Sequence, residues 1–224
     1  MTPQMLRAVI LDLDGTLIDS TEAIVNSITH AFNEIGVAPP SRPDILRTIS
    51  LPLERQLAAL EPSRAAELVP LYRAHYKQYA PAQTTLMPGA QELLALCRDA
   101  NAGLGFATSK SKPAAELLLD HLNVLDYFAA RIGPEDVPNP KPAADALLLA
   151  AEHLRVAPSE TVYIGDAPLD AEAARAARMP CILVSTGYVD AATLKQEPFP
   201  VYNGLFDAAG WLSQRLAPTP RLPV

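Results

Sequence analysis

Short apolar runs alternate with longer segments of helical periodicity along this chain. Five runs rich in aliphatic and β-branched residues lie at 7–12, 103–109, 128–133, 161–166 and 180–186. Runs that are apolar on both faces and separated by helices are typical of strands buried in a parallel sheet. A longer segment precedes each of the last four runs, and in these segments apolar residues recur every three or four positions. They lie at 89–101, 113–122, 143–154 and 170–179. This alternation predicts an α/β protein with a doubly wound parallel sheet.

The segment between the first two predicted strands interrupts the alternation. Residues 21–85 carry helical patterns and no convincing strand. A crossover between parallel strands needs only one helix, so this segment is longer than the connection requires. The excess predicts a helical insertion that docks over the sheet.

Composition and charge indicate a soluble globular protein without a nucleic-acid or membrane partner. The chain has 224 residues, 49% of them apolar, and a net charge of -7. It lacks the clustered Lys and Arg that would neutralise a run of phosphates, and it has neither a span-length apolar stretch nor a signal peptide. Cys97 and Cys181 lie in apolar periodic segments, which predicts reduced core residues rather than metal ligands or a disulfide. We therefore expect a cytoplasmic protein.

Polar residues follow four of the predicted strands. They are Asp12 and Asp14, then Thr108, Ser109 and Lys110, then Lys141, and finally Asp166 and Asp170. In open parallel sheets the ligand crevice lies beyond the carboxyl ends of the strands, so these side chains are expected to converge. Each has an ordinary alternative as a turn residue, a helix cap or a solvated lysine. Because those alternatives would have to hold at four successive strand ends together, we favour a functional site.

The acidic residues among them predict a metal ion. Asp12 and Asp14 are two positions apart and share one face of a strand unless the chain already turns at Asp14. With Asp166 opposite, these carboxylates would repel one another in a cleft of low dielectric unless a cation or a proton intervened. Carboxylate and carbonyl oxygens, with no His or Cys nearby, select Mg²⁺ over zinc or copper.

The order of these motifs resembles the haloacid dehalogenase superfamily, and within it the phosphoglycolate-phosphatase-like phosphatases whose helical cap follows the first strand. The matching motifs are Asp12-Leu13-Asp14-Gly15-Thr16, Thr108, Lys141 in PKPAAD, and Gly165-Asp166 with Asp170. The resemblance implies a Rossmann-like core at 1–17 and 86–216, a cap domain at 18–85 and a small phosphorylated metabolite as substrate. The proline-rich end of the chain predicts a flexible tail at 217–224. We further expect a monomer or a homodimer.

The same resemblance implies a role for each motif residue. Asp12 is the nucleophile that forms an aspartyl-phosphate, and Asp14 protonates the leaving oxygen and then activates water. Mg²⁺ is held by the Asp12 carboxylate, the Asp14 backbone carbonyl and Asp166, with Asp170 a direct ligand or a holder of coordinated water. The phosphoryl group is bound by Thr108, Ser109 and Lys141.

Alternatives to hydrolysis stay open at this point. The dehalogenase branch lacks an aspartate at the position of Asp14. The presence of Asp14 in this chain therefore favours phosphate-ester chemistry. A sugar phosphomutase would share every motif, and a noncatalytic phosphate-binding protein could keep the fold.

Substrate choice is expected to lie with the cap. Its loop reads Ile49-Ser50 where the resembling group usually has Ile-Gly, and Ser109 replaces an Asn. Arg47 and Arg55 are candidates for contacting an anionic leaving group because arginine matches carboxylate geometry. Ser50 and Lys110 complete this predicted set.

Overall fold

A six-stranded parallel sheet forms the centre of the protein. The computed structural model describes residues 5–216, so the tail predicted at 217–224 lies outside the described residues. The strands within that range are β1 (Ala8–Leu11), β2 (Ile18–Asp19), β3 (Thr85–Leu86), β4 (Gly103–Ala107), β5 (Ala130–Ile132), β6 (Thr161–Gly165), β7 (Cys181–Val184) and β8 (Val201–Tyr202). The large sheet has the order β5-β4-β1-β6-β7-β8, and every neighbouring pair is parallel. The predicted doubly wound α/β fold is confirmed.

Helices cover both faces of this sheet and form the insertion. Within residues 5–216 they are α1 (Thr21–Glu34), α2 (Arg42–Leu46), α3 (Leu53–Leu60), α4 (Ala65–Tyr79), α5 (Ala90–Asp99), α6 (Lys112–His121), α7 (Asp145–Leu154), α8 (Pro168–Ala177), α9 (Ala191–Leu194) and α10 (Leu205–Ser213). Across that same stretch of chain, none of these helices combines the length and the apolar character that crossing a bilayer would require.

The alternation of side chains along the central strand divides the core in two. Val9 and Leu11 pack with the cluster that includes α5 and α10, whereas Ile10 packs with the alanine-rich faces of α7 and α8. Successive side chains of a strand point to opposite faces, so a strand covered on both sides must be apolar at every position. All four residues of β1 are buried for this reason.

The insertion leaves and rejoins the core through adjacent segments. β2 and β3 form an antiparallel two-stranded ribbon in which Ile18 pairs with Leu86 and Asp19 with Thr85. Helices α1 to α4 lie between these strands in sequence, and α1 packs against α4. Ile24, Ile28 and Phe32 of α1 are buried at the three-to-four spacing of one helix face. The domain boundaries at 17/18 and 85/86 stay predictions.

Several short elements lie outside the predicted pattern. The sheet has β8 as a sixth strand, and β2, β3, α9 and α10 were likewise not predicted. β2, β3 and β8 have two residues each, which is too short for any periodicity. Pairing with an existing partner strand defines such elements, so a sequence pattern does not reveal them.

Both cysteines are free and buried, in agreement with the prediction of reduced core residues. Burial raises the pKa of the Cys97 thiol to about 12. A thiol in this environment stays protonated at neutral pH and has little nucleophilic character. We therefore assign the cysteines to packing.

Candidate active site

Three central strands end at the same edge of the sheet and bring their following residues together. Asp12 directly follows β1, Thr108 directly follows β4 and Asp166 directly follows β6. β1 pairs in parallel register with both β4 and β6, so the three ends lie side by side. Lys141 reaches the same place from the loop between β5 and α7. Residues far apart in sequence thus share one crevice.

Three carboxylates meet in this crevice. Asp12, Asp166 and Asp170 are buried, and each offers an oxygen within 4.8 Å of the others. Burial raises the pKa of Asp12 to about 6, although the Lys141 ammonium opposes the shift. Burial, with the charges of Asp170 and Asp12, also raises the pKa of Asp166 well above its ordinary value. Three carboxyl groups thus share one lysine, and burial together with their mutual repulsion disfavours ionisation of all three at once.

Lys141 is the cation at the centre of this group. Its Nζ atom lies 2.9 Å from Asp12 Oδ2 and 2.7 Å from Asp170 Oδ1. Burial alone would lower the pKa of the Lys141 ammonium, but the two carboxylates outweigh burial and raise it. The side chain is 2% exposed. Lys141 is consequently a permanent positive charge fixed beneath the crevice.

Asp170 is held by the protein through both of its oxygens. Its Oδ1 accepts from Lys141, and its Oδ2 accepts from the backbone N–H groups of Asp166 and Ala167, each at 3.1 Å. The bond from Ala167 satisfies the backbone N–H of the N-cap residue at the start of α8. Asp170 therefore fixes both the lysine and the loop that carries Asp166.

Tyr163 is a site residue that the sequence analysis missed. Its hydroxyl group lies 2.9 Å from Lys141 Nζ and 2.9 Å from Asp170 Oδ1, and 3.0 Å from the Ala107 carbonyl oxygen. The ring is fully buried in β6. A tyrosine in a buried strand needs a partner for its hydroxyl. That requirement was the available signal, because Tyr163 is the polar residue inside an otherwise apolar run.

Two unpaired polar atoms just beyond β1 and β4 fit the binding of a ligand. Among residues 5–216, Asp12 Oδ1 and Ser109 Oγ are buried and have no hydrogen-bond partner. An orphaned buried oxygen is costly unless something binds it. Thr108 Oγ1 accepts from the Lys110 N–H at 3.2 Å. The donor set, hard oxygens beside an excess of negative charge, fits a divalent cation such as Mg²⁺.

Asp14 occupies a different environment from Asp12. The chain turns here, since Gly15 has φ of +82° and Leu13 points into the core. The Asp14 carboxylate accepts from the Ser20 hydroxyl and lies 3.1 Å from Lys110 Nζ. It is not one of the three clustered carboxylates. The two aspartates thus face different partners, which two-residue strand spacing alone does not predict.

Two glycines enclose the Asp166 carboxylate. A Cβ atom on Gly187 would lie 1.7 Å from Asp166 Oδ2, and one on Gly15 would lie 2.5 Å from the same atom. Thr16 Oγ1 donates to the other oxygen, Asp166 Oδ1, at 2.7 Å. Only glycine lets the backbone approach this closely. Gly187 lies beyond the four motifs, and its role emerges only from the folded chain.

Replacing Gly187 by alanine is expected to displace Asp166. Overpacking a dense interior typically costs about 1–3 kcal/mol, so we expect a loss of that size in the free energy of unfolding. Gly210→Ala is the matched control, because no atom lies within 4 Å of its added Cβ and Gly210 is inside α10. That control should be neutral or stabilising by up to about 1 kcal/mol. Equal unfolding free energies for the two variants would show that Gly187 is not packed tightly against Asp166.

The inserted helices and the core enclose a cavity of about 520 Å³. Asp14, Ser109 and Lys110 line it from the core side, and Ile49 and Tyr76 line it from the insertion. Lys110 is therefore brought to the cavity, and its Nζ donates to the Tyr76 hydroxyl at 2.7 Å. The cavity lies between the two parts of the chain, on the side of Asp14.

The other predicted substrate residues lie elsewhere. Arg47 pairs with Asp44 and its side chain is 70% exposed, while Arg55 lies on the exposed face of α3. Neither arginine lines the cavity, nor does Ser50. The residues next to them line the cavity instead. On α3 the helix turns Gln56 inward rather than Arg55, and in the preceding loop Ile49 rather than Ser50 faces inward. Residues next to the predicted positions thus line the cavity, and the role of Arg47, Ser50 and Arg55 in substrate binding stays a prediction.

Sequence comparison places these features among known proteins. A family model described as haloacid dehalogenase-like hydrolase matches residues 9–184. The phosphoglycolate phosphatase of Chromobacterium violaceum is 32% identical over 207 residues, covering 87% of this chain and 91% of that protein. The tyrosine-protein kinase PtkA of Mycobacterium tuberculosis is 34% identical over 188 residues, covering 84% of this chain. This match spans 64% of the length of the mycobacterial protein.

Solved structures share the same architecture. A haloacid dehalogenase-like family hydrolase from Streptococcus pneumoniae superposes with a TM-score of 0.82 at 27% identity. The superposition covers 92% of this chain and 98% of that one. A hydrolase from Pseudomonas syringae gives a TM-score of 0.81 at 27% identity, over 94% of this chain and 99% of its own. The similarity thus extends over the sheet and the inserted helices together.

Proposed function

The chain belongs to the haloacid dehalogenase-like hydrolases, and from that premise we propose that it is a Mg²⁺-dependent phosphatase of small phosphate monoesters that acts through an aspartyl-phosphate. Its phosphoglycolate phosphatase relatives cover almost the whole chain, which supports this reaction class.

One observation carries the proposal: the two aspartates at the end of β1 have separate surroundings. Asp12 lies in the acidic crevice with Oδ1 unpartnered among the described residues and Oδ2 on Lys141. Asp14 faces the cavity, where Ser20 and Lys110 orient it. Hydrolysis of an ester through a covalent intermediate needs one group that attacks and one that transfers protons. The separation supports assigning the first role to Asp12 and the second to Asp14.

In the first step Asp12 attacks phosphorus. A bond forms between an Asp12 carboxylate oxygen and phosphorus while the bond from phosphorus to the ester oxygen breaks. The departing oxygen takes a proton from the Asp14 carboxyl group, so an alcohol leaves and Asp14 becomes a carboxylate. Asp14 is placed for this transfer because it lines the cavity that would contain the leaving group.

In the second step water regenerates the enzyme. Asp14, now a carboxylate, takes a proton from a water molecule whose oxygen attacks phosphorus. The bond between phosphorus and Asp12 breaks, inorganic phosphate forms, and Asp12 returns to its carboxylate state. Asp14 thus serves as acid and then as base without any net change.

Positive charge and polar groups around the phosphoryl group lower the barrier. Lys141 lies 2.9 Å from Asp12 and offsets the repulsion between a carboxylate and a phosphate. Ser109 has a buried hydroxyl without a partner among residues 5–216, and Thr108 stands beside it at the end of β4. We assign both to binding of the phosphoryl oxygens.

The carboxylates would hold the metal. We assign Mg²⁺ to Asp12, Asp166 and the backbone carbonyl of Asp14, and we assign Asp170 to orienting Lys141 and the Asp166 loop because both of its oxygens are engaged. When bound, the ion supplies positive charge that neutralises the phosphoryl oxygens and the acidic cluster. The cluster of three buried carboxyl groups around a single lysine supports this assignment.

Metal dependence tests the proposal directly. Purified protein is expected to release phosphate from an aryl phosphate in Mg²⁺, to stop when a chelator is added, and to recover when Mg²⁺ is restored. Asp166→Asn should raise the Mg²⁺ concentration for half-maximal rate by at least about 10–100-fold. Asp99→Asn, an exposed site on α5, should leave that concentration unchanged. Turnover that continues in excess chelator would refute the metal requirement.

A further inference from the structure

We propose, resting on the phosphatase activity above, that the leaving group of the preferred substrate is a bulky, largely apolar alcohol rather than a short acid such as glycolate.

The size of the cavity points to a large leaving group. Asp14 and Ser109 line it, so a phosphoryl group at Asp12 directs the rest of the substrate into this space. Its volume of about 520 Å³ lies within the roughly 300–1,000 Å³ of sites that bury drug-sized ligands. Each water-sized group occupies roughly 30 Å³, so the roughly five non-hydrogen atoms of a two-carbon acid would fill only about a third of this volume.

The walls of the cavity are mainly apolar. Leu51 and Leu53 contribute from the insertion and Leu117 contributes from α6. Tyr72 and Tyr76 of α4 add a pair of stacked rings whose centroids are 5.2 Å apart. Burial of apolar substrate surface against such walls is favourable, whereas a carboxylate placed there would lose its hydration.

Two of the cations at the cavity have carboxylate partners in the protein without substrate. Lys110 lies 3.1 Å from Asp14 in a buried pair, and Arg73 lies 2.6 Å from Glu54. A substrate carboxylate would have to displace one of these aspartate or glutamate partners before it gained an ion pair. Breaking the buried Lys110–Asp14 pair is costly because it leaves a charge uncompensated, whereas the exposed Arg73–Glu54 pair contributes little.

The charges at the rim do not favour an anion either. Glu135 and Lys77 both line the cavity and both are exposed, so solvent and salt screen the repulsion of one and the attraction of the other. Size and apolar lining therefore agree on a bulky, apolar leaving group.

A series of n-alkyl phosphates from ethyl to hexyl tests this inference. Their leaving alkoxides have nearly equal basicity, so the series varies apolar contact alone. We expect kcat/KM to rise by about three- to fourfold per methylene, the factor that corresponds to about 0.8 kcal/mol of burial. Hexyl phosphate should also exceed phosphoglycolate. A flat series, or a preference for phosphoglycolate, would overturn the inference.

A pair of variants tests the assigned wall. Leu117→Ala removes an apolar contact in the cavity, and Leu148→Ala makes the same change on α7 at an exposed position that does not line it. The ratio of kcat/KM for hexyl over ethyl phosphate should fall by about fivefold in the first variant and stay unchanged in the second. Equal ratios in both variants would remove this wall from substrate binding.

Failure of the proposed activity would be distinguishable from failure of this inference. If no ester in the series and no aryl phosphate releases phosphate, the phosphatase proposal is wrong. Calorimetric titration with n-alkylphosphonates and phosphonoacetate in Mg²⁺ then tests the cavity by itself. A Kd that falls about three- to fourfold per methylene supports the apolar site, and equal Kd values or tighter binding of phosphonoacetate overturn it.

Discussion

Asp12→Asn is expected to abolish phosphate release while leaving the protein folded. The amide has nearly the shape of the carboxylate but cannot form the bond to phosphorus, and loss of a covalent nucleophile typically costs about four orders of magnitude or more in kcat. Stability should not fall, because burial already disfavours the Asp12 charge and raises its pKa to about 6. The rate in saturating Mg²⁺ and the thermal midpoint together measure these two effects.

The same isosteric change at Asp99 provides the control. Asp99 is an exposed residue of α5 whose side chain is 74% accessible, so Asp99→Asn should retain full activity. Rapid mixing with a chromogenic ester adds a second measurement, since the native enzyme should trap phosphate on Asp12 and Asp12→Asn should not. Turnover within tenfold of the native rate would remove Asp12 from the role of nucleophile.

Lys141→Met is expected to damage both stability and activity. Removing the ammonium leaves Asp12 and Asp170 buried together without their counter-charge, and breaking a buried ion pair in this way costs about 3–5 kcal/mol. Loss of a cation beside the reacting phosphoryl group should also lower kcat by about 10²–10³-fold. Denaturant unfolding and initial rates measure the two losses separately.

The Lys141 prediction has a matched control and an internal check. Lys112 pairs with Asp136 at 3.3 Å near the surface, so Lys112→Met should cost no more than about 1 kcal/mol. Adding Asp170→Asn to Lys141→Met should recover part of the stability, because one uncompensated carboxylate is removed, but it should not recover activity. A Lys141→Met protein as stable as Lys112→Met would show that the buried cation does not hold the site together.

Mg²⁺ should stabilise the Lys141→Met protein more than the native one. A ligand that binds only the folded state adds about 2.7 kcal/mol when its concentration is 100 times its Kd. Without Lys141 the acidic cluster attracts the ion more strongly, so the shift in thermal midpoint with Mg²⁺ should be larger. This comparison separates loss of charge balance from loss of packing.

The sheet and the carboxyl-edge crevice could be predicted from sequence because both follow from local periodicity. An apolar run covered on two faces predicts a buried strand, and residues directly after such strands must lie at one edge. Asp12, Thr108 and Asp166 needed no more information than this to be placed together. β2, β3 and β8 could not be predicted, since a two-residue strand exists only through its pairing.

Supporting groups were harder to predict because their partners are distant in sequence. Tyr163 contacts Lys141 and Asp170, and Gly187 is restricted to glycine by the approach of Asp166. Tyr163 is marked locally only as a polar residue inside an apolar run, and Gly187 has no distinctive local pattern. Their roles depend on which side chains the folded sheet brings within bonding or clashing distance.

The sequence by itself determined the parallel sheet, the helical insertion and the order of acidic, hydroxyl and lysine residues along the crevice. Tertiary structure decided which of those groups share an environment. The turn at Gly15 separates Asp14 from the acidic cluster, and helix phase turns Gln56 rather than Arg55 into the cavity. The physical reason is that periodicity specifies which face of an element is apolar, whereas a site depends on distances between faces that only packing establishes.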